Sequence, residues 1–219
     1  MKVLVIMPTF NEAGNIHKSV SQLFQYNKGV DLLVVDDASP DGTGRLADEL
    51  ASKDKRIRVL HREGKQGLGA AYIAGFGYAF ANNFDYVVEM DADGSHRAED
   101  LPKLLAICSS NDLVIGSRYV KGGQTKNWPL HRQWLSRGGN IYARFMLGGK
   151  LNDMTAGFRV FDCNFLKKLD LNSIHAKGYS FQIEMAYRTL RLGGRAAEVP
   201  ITFVEREIGT SKMLSLIHI

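Results

Sequence analysis

Five short segments of this chain are apolar through their middles, and nearly all of them stop at a polar cluster. They are residues 2–7, 31–36 (Asp-Leu-Leu-Val-Val-Asp), 57–61, 85–90 and 112–116. Between them apolar residues recur at helical spacing, as in Ile16, Val20, Leu23 and Phe24 of a helical stretch expected to open at Asn11-Glu12, and in Leu46 and Leu50, with further helices over 67–80 and 99–107. A strand that is apolar on both faces must be covered on both faces. Strands of that kind alternating with helices give an α/β fold with a mostly parallel central sheet and helices on both faces. Ligands of such sheets bind beyond the carboxyl ends of the strands. Pro8–Glu12, Asp36–Asp41, Asp91–Asp93 and Ser117-Arg118 each follow an apolar strand, so four polar clusters fall on one rim.

The sharpest of these clusters is Asp91-Ala92-Asp93. Alternate residues of an extended chain point the same way, so both carboxylates can converge on one cation. Hard divalent ions such as Mg²⁺ or Mn²⁺ take oxygen ligands and keep phosphate as a further ligand. The pair therefore suggests an enzyme handling a diphosphate leaving group, although Asp-x-Asp is also common in surface loops. Asp36 and Asp37 precede Ser-Pro-Asp-Gly, which reads equally as a turn and as an acceptor for a base or ribose. Gly67-Leu68-Gly69 lacks the third glycine of a dinucleotide fingerprint and does not follow the first strand, so it reads as helix-start packing.

The second half is less regular. A basic helix over 132–147, a strand over 158–161, a helix over 180–192 and a last strand over 195–203, interrupted at Pro200, are expected. Arg118 closes the fifth strand level with the Asp pair, and Arg132, Ser136 and Arg137 share the basic helix. Two guanidiniums and a hydroxyl make a phosphate clamp, set against the plainer reading of an interfacial helix face. Arg206 and Lys212 flank Gly209-Thr210 in a loop able to close over a diphosphate, or else belong to a solvated tail. Of six histidines only His96, beside the Asp pair, invites attention.

With 219 residues the chain is expected to be one domain, or one domain with an appendage. Net charge is +5, from 28 Lys+Arg against 23 Asp+Glu, too small an excess to argue for nucleic acid. The cations gather at 118–150, a stretch suited to anionic headgroups or a phosphorylated substrate. Nothing approaches the roughly 18–20 apolar residues of a membrane span. Cytoplasmic placement with peripheral contact at the inner face of the cell membrane is expected. Cys108 and Cys163 read as buried thiols of a reducing compartment. The last six residues, 214–219 (Leu-Ser-Leu-Ile-His-Ile), match a translated sequencing-library adapter, so residues 1–213 are expected to be the catalytic domain, cut short of a natural C-terminus.

Taken together, the motifs resemble family 2 inverting glycosyltransferases of the GT-A, Rossmann-like fold. More narrowly they resemble the dolichol- and polyprenol-phosphate mannosyltransferases. The resemblance runs in order through Pro8-Thr9-Phe10-Asn11-Glu12, 35–43, Gly67-Leu68-Gly69, Met90-Asp91-Ala92-Asp93-Gly94-Ser95-His96, Gly116-Ser117-Arg118-Tyr119 and Leu135-Ser136-Arg137-Gly138. It continues through Gly157-Phe158-Arg159, 178–182, 198–201 and 203–206 with Ser211-Lys212, while Asn127-Trp128-Pro129 and 205–207 lean toward actinobacterial polyprenol-phosphate mannose synthases.

The resemblance implies transfer of mannose from GDP-mannose to a polyprenyl phosphate, giving a β-mannosyl phosphate. It implies that Pro8, Phe10, Glu12, Val35 and Asp37 hold the guanosine, and that Asp91, Ala92 and Asp93 hold metal and diphosphate. Arg118, Arg206 and Lys212 would line the phosphates, and Arg118, Arg132 and Ser136 the lipid phosphate. Asp91, Asp93 and Arg118 would carry the chemistry, with Mg²⁺ or Mn²⁺ on Asp91 and Asp93. Ser95 stands where some relatives place a Gln ligand, and is left out of the metal shell. Trp128, Trp134, Leu135 and Tyr142 either lie at the bilayer or pack in the core. A membrane-anchoring partner, or an anchor beyond the end of this sequence, fits the same picture. The rival readings are a UDP-glucose-dependent polyprenyl-phosphate glucosyltransferase, a nucleotidyltransferase, and a non-catalytic nucleotide-binding subunit.

Overall fold

The computed structural model describes residues 1–176 and 178–205. Strands β1 (Val3–Thr9), β2 (Val30–Asp36), β3 (Ile57–His61) and β4 (Tyr86–Glu89) form one parallel block in the order β3-β2-β1-β4. Strand β5 (Leu113–Ser117) does not join that block directly. An antiparallel strand, β7 (Arg159–Asp162), is inserted between β4 and β5, and β8 (Ala196–Pro200) pairs parallel to β5 at the far edge. The sheet is therefore the mostly parallel one expected, with a single reversed strand.

The reversal positions the site. The parallel strands bring their carboxyl ends to one rim, and β7, running the other way, brings its amino end there. The loop 153–157 that enters β7 thus joins the rim beside Asp91.

Alternation along β1 builds two cores. Leu4 and Ile6 face α3 (Leu68–Ala81) and α7 (Tyr179–Arg191), together with Tyr72, Phe76, Phe181 and Met185. Val3, Val5 and Met7 face α1 (Ile16–Tyr26), α2 (Thr43–Lys53) and the short α4 (Leu101–Leu105), with Val20, Leu23 and Leu101. Close approach on the α3 side needs small residues. A Cβ at Gly75 would lie 2.6 Å from Ile6, and one at Gly69 2.7 Å from the Phe181 ring. Gly69 is thus a contact point between α3 and α7.

Three local expectations are revised. The helix over 99–107 is only one turn of 3-10 helix followed by α4, because Pro102 and the turn at Cys108–Ser110 confine it. The first helix starts at Ile16, after a turn through Asn11. The last strand is interrupted near Pro200 as expected, since proline has no N–H to continue a ladder, but its second piece does not stay in the sheet. Thr202–Val204 (β9) leaves the main sheet and pairs with a short strand, β6 (Gln124–Lys126). The remaining helices are α5 (Leu130–Leu147), α6 (Cys163–Leu166) and a 3-10 turn at Leu171–Ser173, among the described residues. Both cysteines are buried free thiols, and burial pushes Cys163 up to about 12.

Helix α5 turns most of its large apolar residues outward, while its protein side mixes polar groups with Ala143 and Leu147, which pack against the core. Its buried residues are Arg132, Asn140 and Ala143. The Asn140 amide donates to Thr155 Oγ1 at 2.9 Å and accepts from the Thr155 N–H, while the Arg144 guanidinium donates to Asn152. On the other side Leu130, Trp134, Leu135, Ile141, Tyr142, Phe145 and Met146 are all exposed, Trp134 by 75% and Phe145 by 84%. Their spacing forms one stripe down the helix. The sequence left Trp128, Trp134, Leu135 and Tyr142 undivided between bilayer and core. In the structure Trp128 is buried and the other three face out.

Candidate active site

The loops after β1 and β2 are built as one unit. The backbone N–H groups of Asn11, Glu12 and Ala13 donate to Ser39 Oγ, Thr43 Oγ1 and Asp41 Oδ2 at 3.1, 2.9 and 3.0 Å. Asn11 and Ala38 both sit at positive φ, 61° and 53°. A left-handed alanine is uncommon, and such residues concentrate where a loop is shaped for a ligand. Asp36 holds this turn from beneath, accepting from Thr9 Oγ1, Ser39 Oγ and the Ser39 N–H. It is a structural residue here.

Asp37 is different. Its carboxylate accepts from Arg62 at 2.7 Å and from the Gln66 N–H at 3.2 Å. Lys65 lies 4.3 Å above the Phe10 ring. Pro8, Phe10 and Glu12 are half-buried at the same mouth, where Glu12 accepts from the Asn15 amide at 2.8 Å. Val35 points its side chain into the α3 core, so only its backbone reaches the rim. Ala92 is likewise packed in the opposite core, and its carbonyl accepts from Ser19 Oγ at 2.6 Å. Arg62 was not anticipated from sequence, and no spacing would have singled it out.

Asp91 stands at the mouth of β4. Tyr72 Oη donates to its Oδ1 at 3.4 Å, and its backbone N–H donates to His96 Nδ1 at 3.0 Å. With Nδ1 accepting, a neutral His96 carries its proton on Nε2. The His96 ring is buried, stacked 5.1 Å from Phe158, and acts as a brace for the Asp91 backbone. Gly157 leaves room beside it, since a Cβ there would sit 3.4 Å from His96 and 3.9 Å from Asp91 Oδ2. Asp93 Oδ1 accepts from the Ser95 N–H at 3.0 Å, and Asp93 lines a cavity of about 250 Å³ shared with Asn15, Lys18 and Arg97. Burial raises the Tyr72 phenol well above its usual value, reinforced by the charge of Asp91. Under the pair, Glu89 is fully buried, and burial pushes its carboxyl up to about 7 against the opposing charge of Arg159.

Arg118, level with Asp91 at the end of β5, is held tightly. Its Nε and Nη2 donate to Asp153 Oδ2 and Oδ1 at 2.7 and 2.6 Å, and Nη2 also reaches Thr155 Oγ1 at 2.8 Å. Burial alone would lower the Arg118 pKa, but the charge and hydrogen bonds of Asp153 outweigh it and raise it. Arg132 pairs with Glu205 and lies over the Trp128 ring, its Cζ 4.1 Å from the centroid. Ser136 Oγ accepts from Tyr119 Oη at 2.7 Å. Arg137 extends over the Tyr119 ring. Arg118, Arg132 and Ser136 therefore occupy one neighbourhood. Arg206 and Lys212 lie outside the described residues.

Among the described residues no three His, Cys, Asp or Glu side chains form a closed metal cluster. Asp91, one-third exposed at its side chain, and Asp93 supply hard oxygen donors without completing a shell. That fits an ion of the Mg²⁺ or Mn²⁺ type, which retains water and phosphate ligands.

Two proteins share half of this sequence over nearly its whole length. An undecaprenyl-phosphate mannosyltransferase of Micrococcus luteus is 53% identical over 213 residues, 97% of this chain and 88% of that protein. A polyprenol monophosphomannose synthase of Mycolicibacterium smegmatis is 50% identical over 214 residues, 97% of this chain and 81% of that protein. In architecture the chain resembles glucosyl-3-phosphoglycerate synthase of Mycobacterium tuberculosis, solved with Mn²⁺, UDP-glucose and phosphoglyceric acid. The TM-score is 0.71 at 23% identity, covering 98% of this chain and 74% of the other. A mannosyltransferase of Pyrobaculum calidifontis, solved with GDP-Man and Mn²⁺, aligns with a TM-score of 0.64 at 19% identity, covering 96% and 58%. Residues 4–170 match the profile of glycosyl transferase family 2. Both the profile and the two half-identical relatives thus span strands β1 to β5 and the Asp91–Asp93 mouth, and this chain belongs to glycosyl transferase family 2.

Proposed function

We propose that this enzyme transfers mannose from GDP-mannose to a polyprenyl phosphate, with inversion at the anomeric carbon. The observation that carries this reading is the 53% identity, over 97% of the chain, to a protein named undecaprenyl-phosphate mannosyltransferase. In this reading Pro8, Phe10, Glu12, the Val35 backbone and Asp37 hold the guanosine. Asp91 and Asp93, with the Ala92 backbone between them, meet metal and diphosphate. Arg118, Arg132 and Ser136 receive the acceptor phosphate, and Arg206 and Lys212 approach the donor phosphates.

The displacement needs little acid–base help. A phosphate monoester has its second pKa at about 6, so the acceptor is already largely dianionic at neutral pH. An acceptor oxygen forms a bond to mannose C1 as the C1–O bond to GDP breaks, and that electron pair leaves on the β-phosphate. No proton has to move. A divalent cation held by Asp91 and Asp93 would neutralise charge developing on the leaving diphosphate. The work of this chain is then placement: Arg118, fixed by Asp153, and Arg132, on the Trp128 ring, orient the attacking anion.

Helix α5 suits a lipid-linked acceptor. No acidic residue occurs between Arg118 and Lys150, and the exposed stripe from Leu130 to Met146 is apolar. We place this face at an anionic bilayer surface, peripheral and on the inner side of the membrane; among the described residues no helix is long and apolar enough to cross one. Replacing Trp134 and Phe145 together by Ser should reduce sedimentation with vesicles containing phosphatidylglycerol at least 10-fold. Transfer to a short, water-soluble polyprenyl phosphate should stay within 2-fold. Unchanged vesicle binding by the double variant would remove α5 from the membrane.

The direct test offers purified protein GDP-mannose or UDP-glucose, with polyprenyl phosphate and Mn²⁺ or Mg²⁺. The expected result is mannosyl phosphate product formed with a preference for GDP-mannose of roughly 10²-fold or more. Faster transfer from UDP-glucose would replace this reading with the glucosyl one. Binding of GDP with no transfer from either donor would contradict both.

A further inference from the structure

Where Arg118 and Arg132 meet Trp128, two buried donor atoms lack a hydrogen-bond partner among the described residues. Trp128 is 6% exposed, yet its indole Nε1 is buried without a hydrogen-bond partner among the described residues. Arg132 is 8% exposed, and its Nε is equally unmatched. Both groups are donors that cannot accept, so each calls for an oxygen acceptor. They share one place, because the Arg132 guanidinium rests on the Trp128 ring. Arg118 reaches the same ring, with Cζ 5.4 Å from its centroid. The Phe203 ring packs against the indole edge-to-face at 5.3 Å between centroids. Two guanidiniums gathered on one aromatic ring, with a spare indole N–H and a spare Nε, suit an anionic ligand with several oxygens.

We propose that Trp128 binds the acceptor phosphate, donating its indole N–H to a phosphate oxygen while its ring holds Arg118 and Arg132 ready for the same group. This rests on the acceptor reading above and adds a ligand to it. The phosphate belongs to the acceptor rather than the donor because Trp128 lies two residues before α5, whose apolar face receives the lipid.

The test separates the two phosphates by kinetics. Trp128→Phe keeps an aromatic face and removes the N–H. A benzothienylalanine at position 128 keeps the shape of tryptophan and also removes the N–H, and it decides the matter should the Phe variant fail to fold. With citronellyl phosphate as the acceptor, each should raise the acceptor KM about 10-fold or more. The GDP-mannose KM should stay within 2-fold, and the melting temperature should match that of the unsubstituted protein. An acceptor KM unchanged in the benzothienylalanine protein overturns the proposal. So does a parallel rise in the GDP-mannose KM, which would assign the N–H to the donor diphosphate. If the unsubstituted protein forms no mannosyl phosphate, the acceptor reading falls first and this inference with it.

Discussion

Asp91→Asn should lower mannosyl transfer by on the order of 10³-fold while the protein keeps its fold. The substitution preserves size and an acceptor oxygen for Tyr72, and it leaves the backbone N–H that donates to His96 untouched. What it removes is a negative charge at the mouth of β4, where the proposed cation is held. Electrostatic stabilisation of a leaving group is commonly the largest single contribution to such a reaction, and a thousandfold corresponds to about 4 kcal/mol. The comparison is the rate of product formation at saturating GDP-mannose, with circular dichroism and melting temperature alongside. Chelation with EDTA should produce a similar loss in the unsubstituted protein and little further loss in the variant. Turnover within about 3-fold of normal would remove Asp91 from the chemistry.

Asp153→Ala should be the most damaging single change to stability, at about 3–5 kcal/mol, because it strands a buried guanidinium. The side chains of Arg118 and Asp153 are both almost wholly enclosed, and Asp153 also accepts from the Arg118 backbone N–H at 2.9 Å. For a chain of this size the loss corresponds to a fall in melting temperature of roughly 10 °C. The exposed pair Arg45–Glu49 on α2 gives the contrast: Glu49→Ala should cost no more than about 0.5 kcal/mol. A melting temperature for Asp153→Ala within about 2 °C of the unsubstituted protein would show that water reaches Arg118 and that the pair is not enclosed. Activity should fall as well, since an Arg118 released from Asp153 loses its fixed aim.

The rim was readable because it follows from period and punctuation. Strands apolar on both faces required a covered parallel sheet, and in such a sheet Thr9, Asp36, Glu89 and Ser117 end on one side whatever the details. Asp91, Asp37 and Arg118 could be placed there from local sequence alone. Val35 and Ala92 belong to the resembling motifs, but their side chains serve the cores. Their place in those motifs did not distinguish a packing role from a binding one.

The partners of the charged residues were not readable. Arg118 and Asp153 are 35 residues apart, Arg132 and Glu205 73, and Asp37 and Arg62 25. Nothing in strand or helix periodicity encodes such pairs. They arise because β7 runs against its neighbours and carries the loop 153–157 to the rim, and because Pro200 diverts β9 toward His96 and Trp128. The orientation of α5 was equally hidden. Its sequence shows an apolar stripe and a basic one, and helical spacing cannot say which faces the protein. Sequence by itself determined the layers, the rim and the family, because these depend on local pattern. Tertiary structure decided which carboxylate holds which arginine, and that α5 turns its apolar side outward. Those outcomes depend on where distant segments meet, and on which polar groups must find partners once water is excluded.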